Sequence, residues 1–163
     1  MPQLISATRW LFVLVSISSV ALAENNPSFG EPGADGTLTL SWEQLMPADY
    51  VPVWDPVAPL PTAPVIEELN GKIVRLPGYV IPLKFDGLLV KEFLLVPYFG
   101  ACIHVPPPPS NQVVYVILDK EQELGGLFAT VWVTGQMQTQ VKTTEYAESG
   151  YTIAASLVEP FDY

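Results

Sequence analysis

Val131, Val133, Met137 and Val141 alternate with Thr134, Gln136, Gln138 and Gln140. This period of two puts apolar side chains on one face of an extended chain and polar ones on the other. A segment of this kind must sit in a sheet with one buried and one wet face, so other strands have to pair with it. The runs 72–83, 88–98, 112–118 and 151–158 supply them beside 128–141, and the turn signals Asn70-Gly71 and Phe85-Asp86-Gly87 punctuate the series. Asp119 to Gly126 reads as one helical turn ended by glycine. Gly135 inside its strand, Pro82 inside the first and Gly78 nearby mark bulges or bends of the sort that let a sheet curl on itself. These parts define an all-β fold, a small curled antiparallel β-barrel of the OB kind, with a β-sandwich as the alternative.

Ahead of the barrel, residues 24–37 hold Asn-Pro, Gly-Glu-Pro-Gly and Asp-Gly with few apolar side chains, and read as a flexible leader. Ser41 and Gln44 have capping-box spacing and Pro47 ends the segment, so only a short helix fits there. Six prolines between Pro47 and Pro64 impose extended chain, and Tyr50 and Trp54 among them favour packing against the domain. The division expected is 1–23 signal peptide, 24–70 leader with short helix and proline-rich extension, and 71–163 barrel.

The signal peptide follows from Arg9, the apolar run Trp10 to Val20 and the small-x-small site Ala21-Leu22-Ala23. That run falls short of the ~20 residues a membrane-spanning helix needs, and Glu24 stands where a lipoprotein would carry cysteine. The expected location is the periplasm, with no membrane span. The formal net charge is −10 at pH 7, the wrong sign for a nucleic-acid phosphate backbone.

Cys102 is the chain's one cysteine and His104 its one histidine, two residues apart and just ahead of Pro106-Pro107-Pro108-Pro109. On extended chain such a pair shares a face with Cα atoms about 6.5 Å apart. A thiolate and an imidazole so placed suit Zn²⁺, or Cu(I) for the same ligand softness. Two ligands leave a site incomplete, to be filled by water, by a carboxylate such as Asp86, Glu92, Asp119, Glu145 or Glu148, or by a second copy of the chain in a homodimer. Two other readings stay open: a buried structural thiol with a hydrogen-bonded histidine, and a thiol nucleophile activated by His104. The chain has no Cys-x-x-Cys pair, Gly-x-Ser-x-Gly elbow or phosphate-cradling glycine loop, which favours a non-enzyme.

The stretches Trp42-Glu43-Gln44-Leu45-Met46-Pro47, Val74 to Leu83 and Glu92 to Pro109, with the run Gly-Ala-Cys-Ile-His-Val-Pro-Pro-Pro-Pro, resemble a bacterial family known as domain of unknown function 3299. The resemblance implies an exported protein with no established catalytic residue and, for some members, a neighbourhood of zinc-responsive transport components. Cys102 and His104 carry over as motif positions. The functional expectation is a periplasmic zinc-binding accessory of metal uptake or homeostasis that uses Cys102 and His104, with a metal-transport or other envelope protein as partner. The alternative is an interaction module presenting the Pro106 to Pro109 ridge.

Overall fold

The computed structural model describes residues 29, 31–52, 62–103 and 108–162. The expected signal peptide, the proline-rich stretch 53–61, His104, Pro106 and Pro107 lie outside the described residues. Eight strands appear among those described: β1 (Leu38–Thr39), β2 (Ile73–Asp86), β3 (Leu89–Val96), β4 (Val114–Glu123), β5 (Thr130–Gln138), β6 (Lys142–Thr143), β7 (Glu148–Ser149) and β8 (Tyr151–Pro160).

Five of them close a barrel. The order is β2-β3-β4-β8-β5, and β5 pairs back onto β2, so the sheet has no two separate layers and the sandwich alternative falls away. The closure depends on strong curling, and the register breaks where expected: between Pro82 and Lys84 in β2, and between Thr134 and Gly135 in β5. Pairing is not wholly antiparallel. β4 and β8 run parallel, as do β1 and β2, because β5 leaves β4 to pair with β2, and β8, antiparallel to β5, fills the place between β4 and β5.

The alternation in β5 survives as read, with Val131, Val133 and Met137 buried and Gln136 and Gln138 exposed, although the strand ends at Gln138 and leaves Val141 outside it. The helical turn expected over 119–126 is absent. β4 continues to Glu123, which lies opposite Leu89, while Gln122 lies opposite Val90. The two-residue turn Gly87-Leu88, with Gly87 at φ 60°, brings β3 back alongside this polar segment. Satisfying the backbone of β3 outweighs the local composition. Gly125 and Gly126, both at positive φ, then end β4. Beyond Leu118 β8 no longer accompanies β4, and the free edge that remains carries Asp119, Lys120, Glu121 and Glu123, charges that discourage further strand addition.

The segment ahead of the barrel is built into it. Thr37 donates its N–H to Asp35 Oδ1 in a tight turn leading to β1. Ser41 and Gln44 form the expected capping box, but the helix they start is a single 3₁₀ turn, Trp42–Leu45, ended before Pro47. Trp42 and Leu45 join the barrel core with Leu69, Val74, Phe93, Val133 and Ile153. They close the end where β4 and β8 begin: Trp42 Nε1 donates to the Pro77 carbonyl at 2.8 Å, Gln112 Nε2 to the Trp42 carbonyl at 2.8 Å and the Tyr151 hydroxyl to the Leu45 carbonyl at 2.8 Å. A second, smaller core lies on the outer face of β2, β3 and β4, where Ile81, Leu94, Val96 and Val113 pack with Ala101, Phe128 and Ala147.

Candidate functional site

The residues around Cys102 do not take the extended form that the ligand-pair geometry needs. After β3 the chain turns: Gly100 has φ 84°, Cys102 itself φ 66°, and the Ile103 N–H points back to the Gly100 carbonyl. With Cys102 in the left-handed region, the chain is not extended at that residue. The thiol is half-buried against the smaller core, and burial pushes it up to about 11. His104 lies outside the described residues, and among the described residues no three His, Cys, Asp or Glu side chains gather around a common point. Of the candidate carboxylates, Glu92 is held by Lys84 at 2.8 Å and by the Tyr115 hydroxyl, while Glu148 accepts from Thr62. A thiol with its pKa near 11 has a small thiolate fraction at neutral pH. Alkylation by iodoacetamide at pH 7.5 is expected to run at least tenfold slower than that of free cysteine, as followed by intact mass. A rate equal to that of free cysteine would refute this placement of Cys102.

Of the proline run, Pro108 and Pro109 are among the described residues. Pro108 is buried and Pro109 half-buried. They lead into the 3₁₀ turn Ser110–Gln112, whose three side chains are buried and bind the extension: Ser110 Oγ accepts from the Ala63 N–H at 2.8 Å, Asn111 Nδ2 donates to the Pro64 carbonyl at 2.9 Å, and Gln112 reaches Trp42. This end of the motif serves to fasten Trp42, Ala63 and Pro64 to the barrel.

The opening that remains lies at the other end, where β2 and β4 finish and β3 begins. It is a groove of about 410 Å³, within the roughly 300–1,000 Å³ of ordinary ligand clefts. Pro82 and Phe85 of β2, the hairpin residue Leu88 and Val90 of β3 form one wall, and Gly125 to Leu127 of the β4–β5 loop form another. Ile103 and Tyr146 approach from two further loops. Phe85, Leu88 and Leu127 stand 64%, 70% and 53% exposed, a concentration of bulky apolar surface that a soluble protein rarely leaves open without use. The β4–β5 loop is tied to β2 and to the loop after β3 behind the groove. Phe128 donates its N–H to the Val80 carbonyl at 2.7 Å, Val80 donates to Ala129 at 2.9 Å, and the Phe128 ring packs on Phe99 at 4.7 Å.

OB barrels take their ligands between the loop joining the first two strands and the loop joining the last two. Here those are the Gly87-Leu88 hairpin and residues 139–150, which carry Tyr146, so the groove occupies the ligand position of the fold. Its chemistry differs from that of a nucleic-acid site: among the described residues Glu123 is the one charged residue lining it. Among the described residues no nucleophile and base line it together, and the arrangement can hold a ligand by apolar burial and shape. A second depression, around Asn70, Gln136 and Gln138, is shallow and polar, and its groups are partly used among themselves, with Asn70 Oδ1 accepting from Thr139 and Gln136 donating to the Gly71 carbonyl. The groove was not legible beforehand because its residues come from four separate stretches of chain; the doublet Leu88-Leu89 beside a turn was the one local hint.

Fold and site together define a five-stranded OB-like barrel, capped at one end by its own N-terminal segment and open at the other through an apolar groove. The chain belongs to the family described as proteins of unknown function, DUF3299, whose model matches residues 42–160 and so takes in both cap and barrel. It is similar to the crystal structure of a DUF3299 family protein from Pseudomonas aeruginosa PAO1, at 40% sequence identity and a TM-score of 0.68, over 82% of this chain and 99% of that one. No curated protein matches it.

Proposed function

We propose that the protein is a non-enzymatic binding module of the bacterial envelope, exported to the periplasm by residues 1–23, which holds an apolar stretch of another envelope polypeptide in the groove between Phe85, Leu88, Leu127 and Tyr146. The observation that carries this reading is the open apolar surface at the ligand position of an OB-like barrel. Several large side chains held in water gain about 25 cal/mol per Å² when a partner covers them. N-phenyl-1-naphthylamine, a neutral apolar dye, tests the groove. The wild type is expected to enhance its fluorescence with one saturable site, and Leu127→Asp to weaken binding at least tenfold. Gln138→Ala, in the polar depression, leaves binding unchanged. Equal binding by wild type and Leu127→Asp would overturn the assignment.

Zinc binding by Cys102 and His104 is the second reading, supported by the adjacency of the chain's one cysteine and one histidine and by the partial exposure of Cys102. It requires a further ligand from a carboxylate or from a second chain, and a metal-transport protein would then be the partner. Titration of zinc into wild type, Cys102→Ser and His104→Ala decides it: metal binding lost in both variants supports the reading, and equal binding in all three excludes it.

A further inference from the structure

The proposed polypeptide ligand leaves open what lies on either side of its apolar residues, and the rim of the groove answers that. Glu123 lines the groove at the end of β4. Asp86 immediately precedes the lining residue Gly87, and Glu145 precedes the lining residue Tyr146; all three acidic residues are exposed. Of the cations nearby, Lys84 is paired with Glu92 at 2.8 Å, Lys91 donates to the Asp119 carbonyl at 2.6 Å, and neither Lys120 nor Lys142 lines the groove. Among the described residues one carboxylate, that of Glu123, and no cation therefore line an apolar floor that also presents the rings of Phe85 and Tyr146, to which cations are attracted. An acyl chain with its own carboxylate would meet repulsion here and find no lining cation. With the whole chain at −10, the same repulsion opposes a second copy of this protein.

We infer that the groove selects a peptide segment whose bulky apolar residues are flanked by lysine or arginine. This rests on the groove reading above, and the test separates the two. Three fluorescein-labelled peptides share the core Leu-Phe-Leu-Phe and differ in carrying two lysines, two serines or two glutamates at each end; anisotropy is followed with the full-length mature protein. The lysine-flanked peptide is expected to bind roughly tenfold more tightly than the glutamate-flanked one at low salt, with serine between them. That preference shrinks as salt is raised, since exposed charges are screened, and Glu123→Gln narrows it. Leu127→Ser and, independently, Leu88→Ser weaken all three peptides. Equal affinity for lysine- and glutamate-flanked peptides overturns the basic partner and leaves the groove in place. Binding indifferent to both leucine substitutions overturns the groove itself. Laurate competing more strongly than the lysine-flanked peptide, or a dimer abolished by Leu127→Ser, overturns the inference in favour of a lipid or of self-association.

Discussion

Gly135→Ala is expected to lower stability by about 3 kcal/mol or more and the melting temperature by roughly 10 °C, as read by circular dichroism. A Cβ at this position would stand 2.2 Å from the Ala154 carbonyl oxygen and 2.7 Å from Ala155 Cα. Both are backbone atoms in the middle of β8 and have nowhere to move. The contact is tight because of the bulge: Thr134 pairs with Leu157 and Gly135 with Ala155, so Ser156 is the extra residue, and its hydroxyl donates to the Thr134 carbonyl. The bulge bends β5 and β8 enough for β5 to reach β2 and close the barrel. Gly87→Ala is the control. That turn glycine has φ 60° and open space around it, so alanine there costs only about 1–2 kcal/mol of backbone strain. Equal losses at the two positions would show that β5 and β8 do not approach as closely as described.

Tyr151→Phe carries the second large effect, about 2–4 kcal/mol. The buried Tyr151 hydroxyl donates to the Leu45 carbonyl and accepts the Ile66 N–H at 2.6 Å. One oxygen thus ties β8 to the 3₁₀ turn that caps the barrel and to the chain entering β2. Phenylalanine keeps the ring and leaves both backbone groups without partners. Burial pushes the phenol up to about 12, with the nearby carboxylates of Glu67 and Glu68 adding to the effect. A folded pKa above the unfolded value near 10 means that the neutral phenol stabilises the fold fully below pH 10 and that this contribution is lost between 10 and about 12. Wild-type stability should fall across that window, and Tyr151→Phe should show a smaller fall. An unchanged midpoint in urea for the variant would contradict the tie.

The barrel was readable because its signals are local. The alternation along β5, the Asn70-Gly71 and Asp86-Gly87 turns, and the bends at Pro82 and Gly135 each follow from backbone or side-chain rules acting within a few residues. The end of β4 was not, because Asp119 to Glu123 has the composition of a solvated turn and becomes strand only when β3 folds back beside it. The cap shows the same divide. Ser41 and Gln44 announce a short helical turn, while the tasks of Trp42 and Leu45 depend on Gln112 and Tyr151, far along the chain. For Cys102 and His104 the composition was conspicuous but the assumed backbone was wrong at Cys102: its left-handed conformation, next to that of Gly100, is not the extended chain from which a shared ligand face was argued. The groove was the least legible part, since Phe85, Ile103, Leu127 and Tyr146 meet only once the barrel has closed.

Amide correlation spectra of ¹⁵N-labelled mature protein, recorded while the serine-flanked apolar peptide is added, test the central claim most directly. Saturable shifts concentrated at Leu88, Ile103, Leu127 and Tyr146, with one peptide bound per chain, are the predicted result. Shifts confined to Gln136 and Gln138 on the opposite, polar end, or no saturable shift anywhere, would contradict it.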